Sequence, residues 1–203
     1  MVAPGPFLLA LSLVLSAMAR AQSPGLPLDL SDPRFVREAY VHDPALPDGL
    51  AFLSTIRFAS YLGQQDAIAW IQTETSLSEQ DAASLLHLML GALEAINSDY
   101  DRFKRLLVCA PDRPRAVGNA IYPLFEALDD ARADFASQHL AIVKSKLPAN
   151  RATVLDEWLD QRKLSITYVK FRHKEVYEQQ HHSPDEALAN MCANTPSTGK
   201  GSQ

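Results

Sequence analysis

Residues 78–108, SEQDAASLLHLMLGALEAINSDYDRFKRLLV, decide the fold. The stretch has no proline, few β-branched residues, and apolar side chains at Leu85, Leu86, Met89, Leu93, Ile96, Phe103 and Leu107. That spacing lays one apolar stripe along a helix and leaves the opposite face polar. Ser78, with Asp81 three residues on, resembles a capping box in which Asp replaces the usual Glu or Gln. Acids open the segment (Glu79, Asp81) and bases close it (Arg102, Lys104, Arg105), the order that the helix dipole favours. At ~1.5 Å per residue such a helix runs roughly 45 Å. Neighbours of matching length are expected to cover its stripe.

Upstream, Asp48 is placed to cap a helix with Leu50, Leu53, Ile56 and Tyr61 on its inner face. Gly63 ends or bends that helix before Ala67, Ile68 and Ile71 resume the spacing. Residues 22–47 carry Pro24, Pro27, Pro33, Pro44 and Pro47 and read as an irregular lead-in, with one short helix starting at Asp32-Pro33. Downstream, Pro111 and Pro114 force a break. A third helix follows from Asn119 or Tyr122 to Leu147, with Ile121, Leu124, Leu128, Phe135, Ile142 and Val143 inward and Pro123 in its first turn. Asn150 opens a fourth helix to about Gln180, with Leu155, Leu159, Ile166, Val169 and Val176 inward. Ser183-Pro184-Asp185-Glu186 begins a short last helix, to about Ala193, before a tail at 194–203. The expected fold is therefore all-α. It is an antiparallel bundle of about four main helices plus a short C-terminal helix, over residues 48–193 and without a sheet. Leu86, Met89, Leu93, Leu128, Phe135, Leu159, Ile166 and Val169 are expected to share one core.

The first 21 residues stand apart. Phe7 to Ala17 is an 11-residue apolar run, too short to span a bilayer and of the length of a signal-peptide core. Ala19-Arg20-Ala21 supplies a small-x-small cleavage pattern, so Gln22 is the expected mature N-terminus. Residues 1–21 are thus read as a signal peptide, and the chain as secreted or periplasmic. No Asn-x-Ser/Thr acceptor occurs, which tilts that reading towards a bacterial periplasm. No later apolar stretch is long enough for stable membrane insertion.

The whole chain has 203 residues, 47% of them apolar, and a formal charge of −5. One domain with a real core fits that length, and the acidic balance gives no support to nucleic-acid binding. The two cysteines, Cys109 and Cys192, are expected to pair in an oxidising compartment. Closing a loop of about 84 residues is worth about 4.5 kcal/mol in the chain-entropy view. Charge is distributed unevenly: residues 22–101 hold twelve acids and three bases, and residues 102–203 twelve acids and fifteen bases. An acidic face built from residues such as Asp66, Glu74 and Asp99 suits a basic protein partner.

Arg57 is the lone base between Glu38 and Asp101, and it sits beside an apolar stripe. Either its stem covers apolar surface while its head pairs with an acid, or it points inward to hold an anionic group. His139 and His173 fall on apolar stripes of helices expected to be neighbours, where they are hydrogen-bonded core residues, metal ligands or a proton-transfer pair. His181-His182 with Asp185-Glu186 forms a local donor cluster at a helix break. No H-E-x-x-H, paired Glu-x-x-His, C-x-x-C-H, phosphate-binding Gly loop or G-x-S-x-G occurs, so no catalytic residue, metal or cofactor is assigned. Two function classes follow. The first is an exported bundle that binds another macromolecule, as an inhibitor, immunity-type protein or adaptor. The alternative is a small periplasmic all-helical enzyme with a polar pocket between helices, built from Arg57, His139, His173 and nearby acids.

Overall fold

The computed structural model describes residues 32–109, 118–180 and 182–193. Residues 1–21, residues 22–31 of the lead-in, the Pro111–Pro114 break, His181 and the 194–203 tail lie outside them. In chain order the elements are β1 (Val36–Val41), α1 (Asp48–Tyr61), α2 (Gln64–Thr75), α3 (Glu79–Leu107), a 3₁₀ turn (Gly118–Ile121), α4 (Tyr122–Lys146), α5 (Ala149–Lys163), β2 (Thr167–Phe171), α6 (His173–Gln179) and α7 (Pro184–Ala193). The fold is mostly helical, as the patterning requires.

Helix α3 starts where its box places it, with Ser78 Oγ accepting from the Asp81 backbone N–H at 3.2 Å. Its inner face buries Leu85, Leu86, Met89 and Ile96 against Phe52, Ile56, Ile71, Leu140, Leu155 and Trp158. Each such side chain contributes roughly 1.5–3 kcal/mol on leaving water. Pro123 stands in the first turn of α4, and Ser183 Oγ accepts from the Glu186 N–H at 3.1 Å to start α7. Cys109, just past α3, is bonded to Cys192 in α7, with 5.7 Å between their Cα atoms.

At Gly63 the first helix ends rather than bends: α1 stops at Tyr61, Leu62 is extended, and extended Gly63 leads into α2. The expected fourth helix is α5, β2 and α6, and a small sheet exists after all. Residues 166–171, Ile-Thr-Tyr-Val-Lys-Phe, are β-branched or aromatic at five of six positions, a composition that favours a pleated surface. A partner strand was hidden in the lead-in, where Asp32-Pro33 opens a turn and not the expected short helix. β1 pairs antiparallel with β2, matching Tyr40 to Tyr168 and Val41 to Thr167, with an irregularity between Val36 and Glu38.

The single expected core is three. Leu86, Met89 and Leu159 lie in the main cluster, with Leu93 and Phe135 partly buried on it. Leu128 belongs to a second cluster with Ile121, Tyr122, Phe125 and Ala187, beneath α7. Ile166 belongs to a third, with Leu46, Leu50 and Ala51 beneath the sheet, and Val169 lies half-buried in β2. Tyr61, expected inward, is 72% exposed, and Ile142 is 44% exposed.

One close approach sets the register that matters most. Gly49 lies so near α4 that a Cβ there would sit 2.7 Å from Ser137 N and 2.9 Å from its Cα. Two residues on, Ala51 is buried in the cluster that Ala133 packs against. The two helices therefore run antiparallel, and two turns further along α1 bring Arg57 level with the Asp129–Arg132 turn of α4.

Candidate functional site

Arg57 follows the buried residue Ile56 on α1 and is itself half-buried. Across from it, on α4, stands Arg132. Burial lowers the proton affinity of Arg57, and the nearby charge of Arg132 lowers it further. Among the described residues neither guanidinium forms an ion pair or a side-chain hydrogen bond, and the Nε of Arg132 is buried without a partner. Paired like charges of this kind are costly when taken out of water, and structural arginines normally find a carboxylate.

Aromatic side chains line the rest. Tyr100, one turn past the buried Ile96 of α3, carries the Arg132 guanidinium over its ring at 3.8 Å. A cation lying flat on a ring face in this way keeps its N–H edge outward. Tyr168 comes from β2, near enough to Arg57 for the charges to interact, and Tyr61 lies on the same side. Burial pushes the Tyr100 and Tyr168 phenols above their ordinary range, so both stay protonated at neutral pH. The carboxylate in this neighbourhood, Asp129, is engaged elsewhere: its Oδ2 lies 2.8 Å from His173 Nε2. A carboxylate only accepts, so that nitrogen carries the proton. His173 in turn meets Tyr177 face to face, with centroids 6.1 Å apart, and Phe125 edge-on. Chemically the site is rich in donors, with two forks and two phenols, and its carboxylate already accepts from His173.

The other candidates are distributed differently. His139 and His173 are not neighbours. His139 Nε2 instead bonds Asp99 Oδ2 at 2.8 Å, tying α4 to α3, while His173 opens α6 and does not sit in mid-helix. His139 rims a groove of about 390 Å³ between α3 and α4, floored by Gly91, Ala92, Ile142 and Val143. Asp66 and Glu74 are exposed on α2, with Arg162 close enough to Glu74 to sense its charge. His182 Nδ1 lies 3.3 Å from Glu186. Among the described residues, no three or more His, Cys, Asp or Glu gather in a way that would hold a metal.

The uneven charge along the chain is partly settled inside it. Bases from the second half reach acids of the first: Lys163 to Asp48, Arg151 to Asp81, Lys170 to Glu38, His139 to Asp99. Asp66 and Glu74 form no ion pair among the described residues. Sequence reasoning singled out Arg57 but missed Arg132, Tyr100, Tyr168 and Asp129. The i, i+3 spacing of Asp129 and Arg132 puts them on one helix face, but nothing local says that this face meets Arg57. No family model matches this chain, and neither does any curated protein or solved structure.

Proposed function

We propose that this chain is an exported binding protein that takes an anionic group between Arg57 and Arg132. The observation that carries the reading is two half-buried guanidiniums, level with each other on α1 and α4, with no carboxylate bonded to either among the described residues. Where an arginine is only structural, its charge is normally matched within the fold. Here an anion from outside would supply the match. Residues 1–21 act in this reading as a signal peptide cleaved after Ala21, and residues 48–193 as an antiparallel bundle. The Cys109–Cys192 bond accords with a protein kept outside the reducing cytoplasm. No described helix is long and apolar enough to cross a membrane.

The test is to denature the natively purified chain and identify the small molecules it releases by mass spectrometry. An anion released from the wild type and lost from Arg57→Ala and Arg132→Ala supports the reading. Release that is indifferent to both substitutions refutes it. A second reading, contact with a basic protein, draws on the exposure of Asp66 and Glu74, whereas Glu38, Asp48, Asp81 and Asp99 of that half are paired. Reversing both to Lys should then slow association, with the greatest effect at low salt.

A further inference from the structure

We infer that the group bound between Arg57 and Arg132 is a phosphoryl dianion, as free phosphate or a simple phosphomonoester, rather than a carboxylate. This rests on the anion-binding reading above and narrows it. Three observations lead there. The first is charge. Arginine stays ionised even when burial opposes it, so the site holds two fixed positive charges close enough to repel. A monoanion leaves one of them unmatched; a dianion on one head matches both.

The second is the donor inventory. The Arg132 guanidinium centre lies 3.8 Å from the Tyr100 ring centre, so the ring covers one of its faces, and its buried Nε has no partner. Arg57 brings a second fork from the facing helix, and the phenols of Tyr100 and Tyr168 stay in their donor form. A carboxylate has two oxygens and about four lone-pair sites, which one bidentate arginine already half fills. A phosphoryl group turns three oxygens in different directions, and so can meet donors arriving from α1, α4, α3 and β2 together. The third is the acceptor side. The nearby Asp129 carboxylate already accepts from His173, and the two guanidiniums beside it repel a cation.

The experiment is calorimetric titration of the full, disulfide-intact chain at neutral pH and constant ionic strength. The probes are inorganic phosphate, methyl phosphate, acetate and succinate. Phosphate or methyl phosphate should bind at least about ten-fold more tightly than either carboxylate, as one extra charge-assisted hydrogen bond implies. Whichever phosphoryl probe binds better identifies the source, free ion or ester, and either order supports the inference. Arg57→Ala and Arg132→Ala should each weaken the phosphoryl probe about ten-fold or more. Arg132→Lys, which keeps the charge and loses the fork, should weaken it by an intermediate amount. Acetate or succinate binding as tightly as phosphate, and still dependent on the arginines, would overturn the dianion while leaving the anion site standing. If the wild type binds none of the four probes, or binds them independently of both arginines, both readings fall.

Discussion

Two basic clusters lie against the same strand and the same turn of α4, and they are opposites. Lys170 of β2 sits 3.1 Å from Asp130 and 2.9 Å from Glu38, and Arg37 of β1 reaches Asp130 at 2.6 Å and Glu126 at 3.5 Å. Every cation there has a carboxylate, and the network is a strap that ties the sheet to α4. Tyr168, two residues before Lys170 and so on the same face of β2, belongs to the other cluster. There Arg57 and Arg132 have no such partner among the described residues. The neighbouring acids Asp129 and Asp130 divide the two: Asp130 serves the strap, and Asp129 is taken by His173. Basic residues alone therefore do not mark a site. What distinguishes the Arg57–Arg132 cluster is that the fold withholds the counter-charge it supplies a few ångströms away.

The largest expected effect comes from the frame that both clusters share. Cys192→Ala removes the link from α7 to the end of α3, and α7 covers the cluster that contains Phe125, Tyr100 and Tyr177. We expect a loss of about 2–5 kcal/mol. Amide exchange should rise first in α7, and phosphate affinity should fall as Tyr100 loosens. Next is Gly49→Ala. The added methyl must push α1 away from the Ser137 backbone, an overpacking cost of about 1–3 kcal/mol. It should weaken phosphate binding because it shifts Arg57 relative to Arg132, while leaving the strap network intact.

Smaller, and a sharper contrast, is Lys170→Met. It should cost about 1 kcal/mol or less, because its acidic partners are partly solvated. Phosphate binding should stay unchanged, whereas Arg132→Met should abolish binding at little cost in stability. Acid should reveal the strap in a different way. Burial pushes Asp130 up, but its bond to Lys170 and the charges of Arg37 and Lys170 bring it below its ordinary value; Tyr40, then Lys170, lowers Glu38. A lowered carboxyl contributes its full stability above its unfolded pKa and loses it as pH falls through the folded one. Thermal melts should therefore be level from neutral pH down to about 5 and decline below about 4. A decline that begins above pH 5 would mean that these two carboxylates do not set the acid limit.

How much of this was legible follows from range. The α3 helix announced itself through Ser78, its stripe and its terminal charges, all within one element. The pairing of Cys109 with Cys192 needed only an even count and a compartment. Strand β2 was misread because Val169 and Val176 are seven residues apart, a helical interval, and five residues of strand are too few to impose their own alternation. Its partner β1 was invisible in a lead-in that proline made look irregular, although Pro33 and Pro44 both fall outside the strand. Arg57 stood out because it is alone among acids. Arg132 did not, being one of fifteen bases in its half, and what makes it unusual is a partner that is missing in three dimensions. Gly49 likewise looks like an ordinary first-turn residue until Ser137 is seen against it.

The central claim is that Arg57 and Arg132 lack a counter-charge that an outside anion supplies. The most direct test is the nitrogen and hydrogen resonances of the arginine Nε groups as phosphate is added to the full chain. Arg162 provides an internal control, because its Nε is also buried and unpartnered while its guanidinium lies 5.2 Å from the Trp70 ring centre and near Glu74. The account predicts that the Arg57 and Arg132 signals move and saturate together while that of Arg162 stays in place. Signals of Arg57 and Arg132 that do not move, or that drift in step with Arg162, would contradict it.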